Sequence, residues 1–287
     1  MKGVILAAGE GTRIKKVTYG AFPKELLPIG NVPTIRFPLE ALKLAKINNV
    51  LVVIAPQGKH GIIEGLQSGR KFDMNICYAV QERQKNLDSG LGAAIYATKT
   101  WIGDDDFVVA CGDTIICDFS KSKPLDWLKP LIDTHKKNDS IATVLVHPTK
   151  SDPTRFGVVK FENYREENGT MLGKIERMVE KPDANLARSF KANGYHYVLA
   201  GYYVFKPSIF PYIEKTKLGV RNEIQITDTM ELAIESGEKV NAIVHARSKN
   251  GTLFPKEYWD VGIPEDYKKA NQVLLKKNVE EWLVTEV

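Results

Sequence analysis

Short apolar runs alternate with helix-like stretches through the first half of this chain, and that rhythm limits the folds open to it. Val4 to Leu6, Val50 to Ile54, Ile76 to Val80 and Phe107 to Cys111 read as buried strands. Ile35 to Leu44, Gly61 to Gln67 and Ala93 to Thr100 read as the helices between them. Such βαβ repetition predicts an α/β fold: a Rossmann-like, doubly wound, mostly parallel (mixed) central sheet flanked by helices in three layers. The second half is less regular. It carries strand signals at Ile141 to Val146, Gly157 to Phe161, Leu172 to Glu180 and Tyr197 to Phe205, and helical patterns at Gln225 to Glu235 and Glu265 to Leu275. The polar stretches Glu162 to Thr170 and Ser248 to Gly251 read as loops, and no linker or internal repeat divides residues 1–287.

The first strand runs into Leu6-Ala7-Ala8-Gly9-Glu10-Gly11-Thr12-Arg13, followed ten residues later by Pro23-Lys24-Glu25-Leu26-Leu27-Pro28. Two glycines let backbone N–H groups close on an anion, and Arg13 and Lys24 add the countercharge a triphosphate needs. A dinucleotide fingerprint would require a third glycine and an acid at the end of the second strand. Ile14 and Ile54-Ala55-Pro56 stand there instead, which excludes that reading. Gly112-Asp113, after the strand Phe107 to Cys111, puts a carboxylate at the carboxyl edge of the sheet, where α/β proteins bind ligands.

This combination resembles the sugar-phosphate nucleotidyltransferases, the pyrophosphorylases that make nucleotide sugars. Their signature is a strand, AxGxGTR, then Pro-Lys or Ser-Lys with a short apolar stretch and a second proline. The closest resemblance is to UTP–glucose-1-phosphate uridylyltransferases and glucose-1-phosphate thymidylyltransferases. It extends over about residues 2–275, through Gly90-Leu91-Gly92-Ala93-Ala94, Phe156-Gly157-Val158-Val159, Glu180-Lys181-Pro182, Ala200-Gly201-Tyr202-Tyr203-Val204-Phe205, Glu223-Ile224-Gln225-Ile226-Thr227-Asp228 and Trp259-Asp260-Val261-Gly262. Phe156 replaces the usual Tyr, and the loop Lys85 to Ser89 is a few residues longer than the family's.

The resemblance implies a reaction, NTP + sugar 1-phosphate → NDP-sugar + pyrophosphate, and a set of roles. Arg13, Lys24, Asp113, Lys181 and Asp260 would be catalytic. Leu6, Ala8, Gly9, Gly11, Thr12, Gln81, Gly90 and Gly112 would line the nucleotide, with Gln81 or Gln84 reading the base. Gly157, Glu180 and Gly201 would meet the sugar, and Lys181 its phosphate. Asp113 and Asp260 would hold Mg2+, a hard cation suited to carboxylate oxygens. Residues up to about 135 would form the nucleotide-binding half, 136–275 the sugar-binding half, and 276–287 a helical tail. Thr227 or Asp228 reads as a cap for the helix that follows. Pro23-Lys24-Glu25, Gly90-Leu91-Gly92 and Glu223-Ile224-Gln225 favour UTP, whereas the compact length and Pro38-Leu39-Glu40-Ala41-Leu42 also fit dTTP. A regulatory paralogue that binds nucleotide and sugar without turnover is the alternative of another class.

The formal charge of +5, dispersed over Lys and Arg, suits an anionic small substrate and argues weakly for nucleic acid, so no nucleic-acid partner is expected. No apolar run approaches the ~20 residues of a membrane span. Met1-Lys2 leads directly into a strand without a signal peptide, so a cytoplasmic protein with no membrane partner is expected. Cys77, Cys111 and Cys117 have no metal-ligand spacing and read as small core residues. Relatives suggest a homo-oligomer, dimer or tetramer. No hexapeptide repeats stand at the end, so a second, acetylating activity is not expected.

Overall fold

The structure, a computed structural model, describes residues 1–82, 89–167, 169–249 and 252–283. Gln84 lies outside these. The chain forms two compact units, one of Met1–Glu82, Val109–Lys129 and Glu257–Val287, the other of Arg83–Val108 and Pro130–Lys256. No helix among the described residues is long and apolar enough to cross a membrane.

In the first unit the strand order is Asn75–Val80, Asn49–Ile54, Lys2–Ala7, followed by residues 109–111 of the strand Phe107–Cys111. Asn49–Ile54 pairs in parallel with both Lys2–Ala7 and Asn75–Val80. Val4, Ile5, Val50, Val52 and Val53 are fully buried, the unbroken apolar pattern of parallel strands covered on both faces. Asn75–Val80 stands at the edge and alternates, with Ile76 buried and Cys77 exposed. The expectation of three core cysteines therefore holds for Cys117 and fails for Cys77, whose register turns it to solvent; Cys111 is half-buried. The helix Arg36–Leu44 buries Phe37, Leu39, Ala41 and Leu42. A separate cluster is built from Ile14, Leu27, Phe37, Ile115, Trp259, Val261, Ala270 and Leu274. It anchors the residue just after the glycine turn and the neighbours of Asp260 in one core.

In the second unit the order is His196–Phe205, Ala142–Thr149, Val240–Val244, Thr170–Glu180, Gly157–Glu167. Val240–Val244 runs parallel to Ala142–Thr149, and the other pairs are antiparallel. The molecule is thus a mixed α/β fold, parallel in one unit and largely antiparallel in the other. Glu162 to Thr170, expected as a loop, is mostly the end of a hairpin, because Gly157–Glu167 pairs with Thr170–Glu180 along its length. Glu162 to Glu166 are exposed on both faces of the strand, so no hydrophobic alternation marks them. Ser248 likewise belongs to a strand, Ala246–Lys249, paired with Thr252–Pro255. The helix expected over Ala93 to Thr100 is two short ones, Leu91–Tyr96 and Lys99–Ile102. Between them the buried Thr98 hydroxyl donates to the Ile95 carbonyl, a local bond that competes with helix continuation.

Two elements of this unit, Val240–Val244 and the helix Lys129–Asn138, have no clear sequence signal. The helix buries Leu131, Ile132 and His135 among Lys, Asp and Thr. His135 is 1 % exposed, with Nδ1 3.1 Å from the Thr143 hydroxyl. Burial pulls its imidazole down from 6.5 to about 4, against the opposing charge of Asp106, whose Oδ2 lies 3.9 Å from Nε2. Between those values the unfolded chain binds a proton that the folded chain does not, so stability should fall as pH drops through that window. The urea midpoint is expected to decline from neutral pH to about pH 4.5, and less steeply in His135→Gln. Identical slopes in the two proteins would show that His135 does not contribute.

Candidate active site

The strand Lys2–Ala7 delivers the chain into the glycine turn. Gly11 takes a left-handed conformation, φ 69° and ψ 31°, that a side chain would oppose, and its carbonyl accepts from the Ile14 N–H at 3.1 Å. With Ile14 fully buried, this bond ties the exposed Thr12 and Arg13 to the core. Lys24 opens a short helical turn, Lys24–Leu26, and reaches back so far that a Cβ built on Gly9 would stand 3.2 Å from its Nζ. Leu6 and Gly112 meet through their backbones, the Gly112 N–H donating to the Leu6 carbonyl at 2.9 Å.

Two carboxylates approach the same turn. Thr114–Cys117 pairs antiparallel with Glu257–Asp260, setting Asp260 opposite Thr114, and the Val261 N–H donates to the Asp113 carbonyl at 2.9 Å. Gly262 permits the meeting, since a Cβ there would lie 2.9 Å from Asp260 Oδ1 and 3.0 Å from Asp113 Oδ2. Lys24 Nζ donates to Asp113 Oδ2 at 2.5 Å, and Arg13 Nη2 to Asp260 Oδ2 at 3.0 Å. The Lys24–Asp113 pair is enclosed, whereas the Arg13 side chain is 44 % exposed.

The two acids differ in character. Burial pushes the Asp113 carboxyl up, but the Lys24 ammonium, by charge and hydrogen bond, outweighs it and holds the group below its ordinary value. Burial likewise raises Asp260, and there the negative Asp113 adds to it, so that Arg13 and Lys24 leave it above its ordinary value. Burial disfavours the Lys24 cation, yet Asp113, Glu25 and Asp260 together raise its pKa. The result is two adjacent acids, each paired with its own cation.

Behind the turn stand two residues that sequence reasoning missed as site components. Glu25 is 1 % exposed and its Oε2 takes Lys59 Nζ at 2.8 Å; Lys59 also donates to the Gly9 carbonyl at 2.8 Å. Burial raises the Glu25 carboxyl against the charges of Lys24 and Lys59. Lys59 sits in Pro56-Gln57-Gly58-Lys59, which reads as an ordinary polar turn. No sequence signal marks it.

The second unit gathers the residues expected on the sugar side. Glu180 accepts from the Thr227 hydroxyl at 2.8 Å through Oε2 and pairs with Lys181 Nζ at 3.0 Å through Oε1. A Cβ on Gly157 would come within 2.8 Å of the Thr227 hydroxyl and 3.0 Å of Glu180 Oε2, so glycine there keeps the pair intact. Lys181 itself has φ 47°, a left-handed backbone unusual for a lysine, and its N–H donates to the Phe156 carbonyl at 3.0 Å. Gly201, at φ 72°, lies where the pairing of His196–Phe205 with Ala142–Thr149 shifts register. Thr227 and Asp228 are not caps: the helix Ile226–Glu235 begins one residue earlier, with Gln225 at its N-cap. Burial raises the Asp228 carboxyl, and Glu180 and Glu231 raise it further.

Gln81 immediately follows the edge strand Asn75–Val80, its N–H donating to the Ile54 carbonyl at 2.8 Å. In the second unit, Gly90 at φ 97° and Gly92 make a close backbone approach to Ile224. A Cβ on Gly90 would stand 2.5 Å from the Ile224 carbonyl oxygen, and the Gly92 N–H donates to that oxygen at 2.9 Å. These contacts alone require glycine at both positions.

Residues 2–277 match the family described as nucleotidyl transferase. The low-salt glycan biosynthesis nucleotidyltransferase Agl11 of Haloferax volcanii is 30% identical over 280 residues, covering 96% of this chain, which in turn spans 66% of that longer protein. The UTP–glucose-1-phosphate uridylyltransferase of Mycoplasma pneumoniae is 31% identical over 289 residues, 94% of this chain and 90% of that one. The glucose-1-phosphate thymidylyltransferase of Neisseria meningitidis is 32% identical over 238 residues, 83% and 72% respectively. Among solved structures, UDP-glucose pyrophosphorylase complexed with UDP-glucose superposes with a TM-score of 0.75 at 26% identity, covering 96% of this chain and 99% of that one.

Proposed function

The chain belongs to the nucleotidyl transferase family, and on that premise we propose that it transfers a nucleotidyl group from an NTP to a sugar 1-phosphate, with UTP and glucose 1-phosphate as substrates. The observation that carries this reading is the convergence of Arg13, Lys24, Asp113 and Asp260 on the glycine turn. Pro23-Lys24-Glu25, Gly90-Leu91-Gly92 and Glu223-Ile224-Gln225 support UTP by their likeness to the uridylyltransferase segments. Transfer from dTTP is the second reading, because the two pyrimidines differ at the base by one methyl, which discriminates weakly.

In the reaction an oxygen of the sugar phosphate forms a bond to the α-phosphorus while the bond from that phosphorus to the bridging oxygen breaks. Pyrophosphate leaves with the electron pair. The attacking phosphate is already ionised, so no side chain need remove a proton, and the work of the protein is positioning and charge neutralisation. Arg13 and Lys24 are the cations for the NTP phosphates and the departing pyrophosphate. Lys181 is the cation for the sugar phosphate, and Glu180, oriented by Thr227, accepts from sugar hydroxyls. The carboxylate oxygens of Asp113 and Asp260 suit a hard divalent ion, and the burial that raises Asp260 beside Asp113 would be relieved by a cation shared between them. Mg2+ held there would neutralise charge at the α-phosphate. A triphosphate would draw Arg13 and Lys24 off the two aspartates, an exchange of ion pairs that frees both carboxylates when the nucleotide arrives.

Pyrophosphate release with UTP, dTTP, CTP, GTP and ATP against glucose 1-phosphate, in Mg2+ and in EDTA, tests this. Mg2+-dependent release with UTP is expected. Release with dTTP alone would move the assignment to the second reading, and release with neither would refute the pyrimidine. No release with any triphosphate would leave a binding protein.

A further inference from the structure

Lys59 and Glu25 form a buried ion pair that none of the roles above uses. Lys59 immediately precedes the helix His60–Leu66 and is 6 % exposed, and Glu25 Oε1 has no hydrogen-bond partner among the described residues. A buried pair of this kind rarely stabilises a fold more than apolar residues of the same shape would. Its use lies in the third atom it engages, the Gly9 carbonyl oxygen, which Lys59 Nζ holds at 2.8 Å.

A peptide unit is planar and trans, so a carbonyl and the N–H that follows it point in opposite directions. An ammonium fixed on the Gly9 oxygen therefore turns the Glu10 N–H to the other side of the turn. Glycine places little steric restraint on that choice, and the opposite orientation would aim a carbonyl oxygen at an incoming anion. Lys24 and Glu25, adjacent in the chain, divide the work: the first pairs with Asp113, the second holds Lys59.

The geometry points to Lys59 as a positioning residue that locks the Gly9–Glu10 peptide in the orientation that receives the NTP phosphates, with Glu25 as its counter-ion. This rests on the nucleotidyl-transfer reading. It is tested with Lys59→Met, Glu25→Gln and the double variant, by calorimetric binding of UTP and dTTP, by KM for each substrate and by Tm.

Lys59→Met strands the Glu25 carboxyl and should lower Tm; the double variant removes both charges and should recover it. Losing one charge-assisted bond to the turn corresponds to about 10- to 100-fold in triphosphate affinity. That weakening is expected in Lys59→Met and in the double variant alike, with KM for glucose 1-phosphate unchanged. Glu25→Gln alone leaves Lys59 on Gly9 and should weaken binding less. Wild-type triphosphate affinity in the double variant, failure of that variant to fold, or an equal rise in both KM values would each overturn the inference. Absence of turnover by the wild-type chain would instead strike the reaction, since calorimetry reads Lys59 without it.

Discussion

Lys24→Met is expected to lower the rate of pyrophosphate release by about 10²- to 10³-fold, the usual consequence of removing a fixed charge from a developing anion. Two effects combine. The ammonium that the proposed reaction assigns to the phosphates disappears, and Asp113 loses the partner that holds its carboxyl below the ordinary range. Before nucleotide binds, burial would then dominate and move Asp113 upward, toward the protonated form that binds no cation. The loss should therefore appear in kcat as well as in KM for the triphosphate. Lys24→Arg should rescue little, because the space around Nζ is closed by Gly9 and Asp113. Steady-state pyrophosphate release at saturating substrates is the measurement, and a Lys24→Met variant within about threefold of wild type would remove Lys24 from the machinery.

Asp113→Asn is expected to cost about 10³-fold in kcat and to raise the Mg2+ concentration needed for half-maximal rate. Asn keeps the shape and one acceptor but gives up the charge, leaving Lys24 enclosed beside a neutral amide. Asp260→Asn should be the milder change. Its carboxyl is already held above its ordinary value, and its partner Arg13 is half exposed, so water can compensate part of the loss. Mg2+ titrations of both variants, with circular dichroism to confirm folding, give the order. Equal activity of wild type and Asp113→Asn across the titration would end the assignment of a cation to this pair.

Several parts of this arrangement are legible in the sequence for physical reasons. Gly9, Gly11, Arg13 and Lys24 are close in the chain, so a local motif carries them, and the buried parallel strands announce themselves by unbroken apolar runs. Other parts leave no local trace. Arg13 and Asp260 stand 247 residues apart, and only the resemblance links them before the strand pairing is known. Lys59 acts on a backbone oxygen, an interaction with no periodicity and no partner side chain to match. Glu162 to Glu166 are exposed on both faces of their strand, and alternation cannot reveal a stretch of strand that buries nothing. Gly90 is read from the resemblance as lining the nucleotide, and the Ile224 backbone that the structure sets against it and Gly92 leaves no local trace in the sequence.

The pairing of Thr114–Cys117 with Glu257–Asp260 also orders events during synthesis. When the ribosome has made residues up to 250, the glycine turn, Lys24 and Asp113 already exist, but the strand that brings Asp260 beside them does not. Thr114–Cys117 must wait for the strand Glu257–Asp260, and Ile115 for part of its core cover. Closing so long a loop is an entropically slow step, of the kind that limits folding rate rather than final stability. A growing chain would thus hold half of a charge cluster that becomes complete only as Trp259 docks, which makes the maturation of this corner a late event.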